Sequence, residues 1–454
     1  MTAHRTILEP FQVVGRDFLA SRFHALLADE AGIGKTIQSL HAASAVGAES
    51  ILVTCPASVR TNWHEHAEAH YANDVLAPRF DVISYNGASN PAVLSTLAPK
   101  YDVWIGDECH LMKGLGSRRC QALFGDKTPV RGEGLARRAK YKWALSGTVA
   151  PNYRPVELYP LLKALHTAFA GYTFDTYTRE FCGAFWEAGR GLNTKGATSV
   201  EKLSSLLSSF MLRRLKVEVF PGRKEPLEVR IPVDLTAEDL AAVTAETDAI
   251  GGRECRLSPS IDKFSAMGDT SKLLRLLGEA KANAAAFFIQ DKLEGGVKKM
   301  VVFAYHKEVI KRLQNALHLS GYAPVIYAGG MSDGAKDKAK RTFMEGEKCR
   351  VFIGQRDAAG TGINGLQTVC DTIVDVEPGW TPGYKSQRID RLDRMGQKSD
   401  IVTVYQIYAR KTLDVVVCST SDRKVRVGER LFILPGAEST YAEMKKFAFG
   451  GDLV

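Results

Sequence analysis

Two blocks of short apolar runs, each punctuated by helical stretches, do most to restrict what this chain can fold into. The first block holds HALLAD (24–29), SILVTCP (50–56), FDVISY (80–85), DVWIGDE (102–108) and KWALSGT (142–148). The second holds KMVVFAY (299–305), PVIYAG (324–329), RVFIGQ (350–355), TIVDVE (372–377) and IVTVYQIY (401–408). Strands that alternate with helices read as parallel sheets, because a parallel pair needs a crossover between its members. A mostly helical stretch, about 153–217, closes the first block, and another, about 236–296, opens the second. Between them Pro221-Gly222-Arg223-Lys224 is the best linker. The expected architecture is therefore α/β: an N-terminal lobe over 1–220 and a C-terminal lobe over 221–454, each with helical material.

Composition narrows the function class. The 454 residues are 45% hydrophobic and 24% charged, enough to bury two or three cores. No apolar run reaches the roughly 18 residues of a membrane helix, and MTAHRTILEP has no apolar core of a signal peptide. None of the eight cysteines forms a CxxC pair, so no zinc module or disulfide framework is expected. A net charge of +9 favours a polyanionic partner. His64, His66 and His70 read as polar positions on an exposed helix rather than metal ligands.

The strand HALLAD runs into GIGKT and then into TIQSLHAASAV, a helix by pattern. Gly32, Ile33 and Gly34 would turn the backbone so that amide hydrogens converge, and a phosphate at a helix N-terminus gains from those amides and the dipole. Lys35 would reach the β- and γ-phosphates of ATP, and the Thr36 hydroxyl would hold Mg²⁺. About 70 residues on, the strand DVWIG ends at Asp107-Glu108-Cys109-His110. There Asp107 can hold Mg²⁺ through water, and Glu108 can orient and deprotonate the attacking water. In the second lobe Arg391 and Arg394 stand three apart, read as one face of a helix.

With these residues in place, the chain resembles the Swi/Snf-type ATPases of the superfamily 2 helicase-like proteins. DEAGIGKTIQ, DECH and SGT are similar to motifs I, II and III, and VVFAYH (301–306) to motif IV. AAGTGINGLQ (358–367) resembles motif V, Trp380-Thr381-Pro382 the element after it, and the run from Gln387 to Gln397 motif VI. KxxVVFAYH behind a helix holding Lys281 further resembles the HepA-related, annealing-helicase branch. The resemblance implies two RecA-like parallel-sheet lobes with helical insertions, binding ATP and Mg²⁺ and moving along double-stranded DNA. It implies that Arg391 and Arg394 stabilise the transition state, that Gln387 couples the lobes and that Gln12 reads adenine. Nucleic-acid contact is implied for Pro56, Ser58, Asn62, Trp63, Tyr85, Tyr305, His306, Gly329, Gly330, Asn364 and Trp380. Trp63 and Trp380 read equally well as packing residues. The basic run Arg213-Arg214-Leu215-Lys216 reads either as a DNA or phosphate contact or as a solvated helix end.

A strand-separating superfamily 2 DNA or RNA helicase is the alternative; the RxGQ form of motif VI and the Trp-Thr-Pro element weigh against it. The expected agent is a monomeric motor, with room for an unidentified protein partner and none for a membrane. Its expected setting is the cytoplasm and nucleoid of a bacterial, archaeal or phage-infected cell. One oddity remains in the phosphate loop itself. Asp29 and Glu30 are carboxylates beside the place for a polyanion, and they are expected to point away from it, bonded within the lobe or toward the second lobe's arginines.

Overall fold

The computed structural model describes residues 7–72, 74, 76–125, 134–189, 191–220, 222–257, 270–356, 363 and 365–432. Its main strands form two six-stranded sheets in which every pairing is parallel. The chain divides into two compact units: residues 1–221 with the C-terminal residues from Lys424, and Gly222–Arg423.

In the first unit the strands are β1 (His24–Leu27), β2 (Ser50–Cys55), β3 (Arg79–Ser84), β4 (Tyr101–Asp107), β5 (Ala139–Leu145) and β8 (Met211–Leu212). They lie in the order β3-β2-β4-β5-β1-β8. Because side chains alternate along a strand, each run feeds two cores. Ala25, Leu27, Val53, Ile105 and Trp143 face helices α1 (Pro10–Ala20), α2 (Lys35–Ala45) and α3 (Arg60–Tyr71). Leu26, Leu52, Trp104 and Ala144 face the helical stretch, through Leu162, Phe169, Phe181 and Leu207. Burial on both faces explains why these runs are apolar throughout, and each buried aliphatic side chain contributes about 1.5–3 kcal/mol.

The second unit repeats the plan. Its strands are β9 (Leu227–Val233), β10 (Met300–Ala304), β11 (Val325–Tyr327), β12 (Val351–Gln355), β13 (Thr372–Asp375) and β14 (Thr403–Ala409), in the order β11-β12-β10-β13-β14-β9. Helices Ser271–Glu294 and Lys307–Leu319 cover one face, and Phe343, Leu366 and Leu392 cover the other.

Three features depart from the sequence expectation. The fifth run begins at Ala139 and ends at Leu145, three residues earlier than its apolar residues suggest. The helical stretch contains a small antiparallel hairpin, β6 (Phe185–Glu187) with β7 (Gly191–Asn193). Both sheets also gain an unanticipated edge strand. β8 has only two residues, aligned as Leu26↔Met211 and Leu27↔Leu212. β9 carries Pro232, which an edge tolerates because the missing N–H need not face a partner.

Candidate nucleotide site

The loops that carry chemistry all leave the C-terminal ends of parallel strands, where α/β sheets open toward ligands. From β1 the chain turns through Gly32 (φ 89°) and Gly34 (φ 89°) into α2. Gly34 needs its left-handed backbone, and a Cβ there would also lie 2.4 Å from the Gln12 amide nitrogen. The start of α2 has no side-chain cap and no acidic residue in its first turn. Its amides therefore suit an anion. Lys35 Nζ donates to the carbonyls of Asp29 (2.7 Å) and Glu30 (3.0 Å), which holds the ammonium inside the loop. Gln12, buried on α1, accepts from Glu9 N–H (3.1 Å) and donates to Ile33 C=O (3.1 Å), so it braces the loop.

The two awkward carboxylates bond within the lobe. Asp29 is fully buried and is gripped by Arg214, whose Nε donates to Oδ1 at 2.9 Å and whose Nη2 donates to Oδ2. Arg214 also donates to Gln38 Oε1 (2.9 Å) and to the Phe11 carbonyl, tying α1, α2 and the end of β8 to the loop. Glu30 accepts from Lys216 N–H at 2.7 Å. Of the two readings of the Arg213–Lys216 run as surface or ligand contact, neither describes Arg214. It is 4% exposed and serves as the counter-ion of Asp29. Arg213 donates to the Ala28 carbonyl at 3.1 Å. Gly15 is required by this network, since a Cβ would fall 1.7 Å from Gln38 Oε1.

β4 delivers Asp107 and Glu108. Asp107 Oδ2 accepts from the Trp63 indole N–H (2.9 Å) and Oδ1 from Glu108 N–H (3.0 Å). Burial and the Glu108 charge push its carboxyl up to about 6, against the pull of the Trp63 bond and the Lys35 charge. Glu108 sits at φ 52°, ψ 49°, a left-handed conformation that costs a non-glycine residue about 1 kcal/mol or more. That strain aims its side chain at Ser146 (3.3 Å) and His110 (3.2 Å). His110 in turn meets Ser146 Oγ at 3.0 Å. The DECH and SGT segments are thus one hydrogen-bonded cluster. One carboxylate and one hydroxyl, Asp107 and Thr36, are too few for a protein-only metal cage. Oxygen donors of this kind suit a Mg²⁺ ion whose remaining positions are taken by phosphates and water.

Of the residues expected at nucleic acid in this unit, Ser58 is exposed and Pro56 and Asn62 are half-buried, all following β2. The rings of Trp63 and Tyr85 are not available for such contact. They are 1% and 3% exposed, and the Tyr85 hydroxyl donates to the Asp107 carbonyl. Both are braces of the acidic site, drawn inward by their hydrogen bonds. His64 and His66 are exposed as expected, but His70 is buried, with Nε2 3.0 Å from Ser44 Oγ.

In the second unit Tyr305, His306, Gly329 and Gly330 gather where β10 and β11 end. Glu377 accepts from the amides of Tyr305 (2.7 Å) and His306 (3.0 Å) and from His306 Nδ1 (2.6 Å). Gln355 bridges Gly329 N–H (2.8 Å) and the Tyr305 carbonyl (3.2 Å). Trp380 is half-buried against the cluster of Leu273, Leu413 and Val416, which favours its packing reading. Asn364 lies outside the described residues. Gln387 is buried on the helix Pro382–Ile389. That helix ends at Ile389, so Arg391 and Arg394 do not share a helical face as expected. They lie in the turns beyond, where Arg391 and Gln397 amides make three-residue hydrogen bonds to the Arg388 and Arg394 carbonyls and Gly396 takes φ 87°. Burial and the Arg391 charge hold the Arg394 guanidinium below its usual pKa.

Arg214, Gln38, Glu377, Gln355 and the role of Trp63 were not anticipated. Arg214 meets Asp29 across 185 residues, Glu377 meets Tyr305 across 72, Trp63 meets Asp107 across 44 and Gln355 meets Gly329 across 26, so no local spacing marks them.

Residues 13–108 match the SNF2-related domain and residues 283–396 the helicase conserved C-terminal domain. The chain is 29% identical over 443 residues to the SWI/SNF-related matrix-associated actin-dependent regulator of chromatin subfamily A-like protein 1 of Xenopus tropicalis, covering 92% of this chain and 44% of that protein. It is 28% identical over 450 residues to the DNA annealing helicase and endonuclease ZRANB3 of Homo sapiens, covering 93% of this chain and 40% of that protein. It therefore spans less than half the length of these relatives. The solved structure titled Sulfolobus solfataricus SWI2/SNF2 ATPase core in complex with dsDNA aligns with 95% of this chain and 98% of its own, at 19% identity and a TM-score of 0.40.

Proposed function

We propose that this chain, whose residues 13–108 match the SNF2-related domain and 283–396 the helicase conserved C-terminal domain, works as a Swi/Snf-type ATPase of superfamily 2, and that ATP hydrolysis at the β1–α2 loop drives movement along double-stranded DNA. The observation that carries this reading is the acidic cluster. Glu108 is held in a strained conformation, beside an Asp107 whose charge answers Lys35, and toward Ser146 and His110. In this reading the α2 amides and Lys35 bind the β- and γ-phosphates. Thr36 and Asp107 would hold Mg²⁺, which neutralises phosphate charge when bound. Glu108 takes the proton of the attacking water, and Ser146 and His110 keep its carboxylate oriented. Arg391 and Arg394 stabilise the charge that develops on the transferred phosphoryl group. Ser58 and Asn62 in one unit, and Tyr305, His306, Gly329 and Gly330 in the other, grip the DNA backbone. Contacts of that kind are sequence-independent and steeply salt-dependent. The DNA partner is supported by the relatives, one of which is named as a DNA annealing helicase.

Steady-state hydrolysis by Lys35→Ala and Glu108→Gln tests the site. Both lose activity by about two orders of magnitude or more if these residues bind phosphate and activate water. Glu108→Gln should still bind nucleotide. Hydrolysis surviving in both would place the chemistry elsewhere.

A further inference from the structure

The first side chain of the second unit, Arg223, does not behave as a linker residue. Its Nε donates to Asp393 Oδ1 at 2.8 Å and its Nη2 meets the same oxygen at 2.6 Å. The same guanidinium donates to the Arg394 carbonyl from Nη1 (3.1 Å) and Nη2 (3.2 Å). Asp393 is 6% exposed. The partners lie 170 and 171 residues from Arg223 in sequence. They form the turn that places Arg394, beyond the end of the helix Pro382–Ile389, where the last four-residue hydrogen bond runs from Asp393 N–H to the Ile389 carbonyl (2.9 Å) and none of that kind holds Arg394.

We propose that Arg223 is a positioning residue for phosphoryl transfer: its guanidinium fork sets the turn that presents Arg391 and Arg394. The inference rests on the reading of Arg394 as the group that meets transition-state charge. Two physical effects give Arg223 this role. First, a planar fork can hold a carboxylate and a carbonyl together, so it fixes the turn's direction as well as its position. Second, Asp393 stands between Arg391 and Arg394 in the chain. A buried carboxylate without its counter-ion is costly, which favours a rearrangement that brings another cation to it. Without Arg223 the nearest candidates along the chain are Arg391 and Arg394. Arg223 therefore keeps Asp393 from drawing either of them out of position.

The test compares the wild-type chain with Arg223→Ala, Arg223→Lys, Asp393→Asn, Arg223→Ala/Asp393→Asn and Arg394→Ala. The readouts are kcat and KM for ATP, the affinity for ADP with fluoroaluminate relative to ADP alone, and the thermal midpoint. Arg223→Ala is expected to lose about 100-fold in kcat, the scale for a misplaced catalytic group. Its KM should stay within about twofold, and its preference for ADP with fluoroaluminate should be lost. Arg223→Lys, with one point charge in place of a fork, should fall between wild type and Arg223→Ala. The double variant should recover about tenfold over Arg223→Ala, because the competing carboxylate charge is gone. A merely structural role predicts that kcat falls only as far as the thermal midpoint does and that the preference for ADP with fluoroaluminate survives in Arg223→Ala, and that result overturns the proposal. So does an Arg223→Ala enzyme with wild-type kcat while Arg394→Ala is inactive. An active Arg394→Ala instead refutes the arginine reading on which the proposal stands.

Discussion

Replacing Trp63 by phenylalanine removes one hydrogen bond and leaves most of the packing. The indole N–H lies 2.9 Å from Asp107 Oδ2, and the ring is 1% exposed, so water cannot take its place at the carboxylate. A hydrogen bond to a charged acceptor is worth about 1.5–3 kcal/mol. The lower end of that range, about 1.5 kcal/mol, is already roughly tenfold in an equilibrium. The bond favours the ionised carboxylate, the form that holds Mg²⁺. Burial and the Glu108 charge push that carboxyl up to about 6, so at the proposed site protons would compete with Mg²⁺ just below neutrality. In Trp63→Phe that competition moves to higher pH. The fold binds the Asp107 proton more tightly than the unfolded chain does. This group therefore favours the folded state on acidification from about 6 toward its ordinary value near 4, even as Mg²⁺ is lost. The assay is the Mg²⁺ dependence of hydrolysis, from mildly alkaline conditions to below pH 6. The expected result is a half-saturating Mg²⁺ concentration raised about tenfold near the acid limb, and an acid limb displaced upward. A variant with the wild-type Mg²⁺ requirement and acid limb would refute the account of Trp63 as a brace of the acidic site.

Other consequences concern stability. Arg214→Ala leaves the fully buried Asp29 without its partner and should cost about 3–5 kcal/mol in denaturant unfolding of the first unit. Gly15→Ala strikes the same network through Gln38 and Arg214, so its cost should not add to that of Arg214→Ala in a double-mutant cycle. In the second unit Lys281 pairs with Asp414 at 2.6 Å, both almost fully buried. Lys281→Ala should cost about 3–5 kcal/mol, whereas the paired apolar replacement Lys281→Met/Asp414→Leu should cost less, about 1–3 kcal/mol, because it leaves the Ala409 N–H that donates to Asp414 at 2.9 Å without its acceptor. Calorimetric unfolding of the three proteins distinguishes these outcomes.

The sheets were legible because burial on both faces writes itself as apolar runs: HALLAD and DVWIG predict β1 and β4 to within a residue or two. The phosphate loop was legible because Gly32 and Gly34 are demanded by backbone conformation, a local property. What bonds across distance was not. Asp29 looked awkward beside a polyanion until Arg214, 185 residues on, explained it. RRLK reads as a charged surface because nothing local distinguishes a buried arginine from a solvated one. The three-residue spacing of Arg391 and Arg394 suggested a helix, but Asp393 and the Arg394 carbonyl are committed to Arg223, and the helix stops at Ile389. Trp63 and Tyr85 sit in segments that resemble a DNA-facing motif, yet their polar atoms turn inward to Asp107.

The claim at the centre of this account is that duplex DNA drives ATP hydrolysis at the site built on Lys35, Asp107 and Glu108. The most direct measurement is the ATPase rate with no nucleic acid, single-stranded DNA, double-stranded DNA and RNA, read beside a strand-separation assay on the same preparation. The account predicts the strongest stimulation by double-stranded DNA, falling steeply with added salt, without separation of its strands. Equal stimulation by RNA, or robust strand separation, would contradict it.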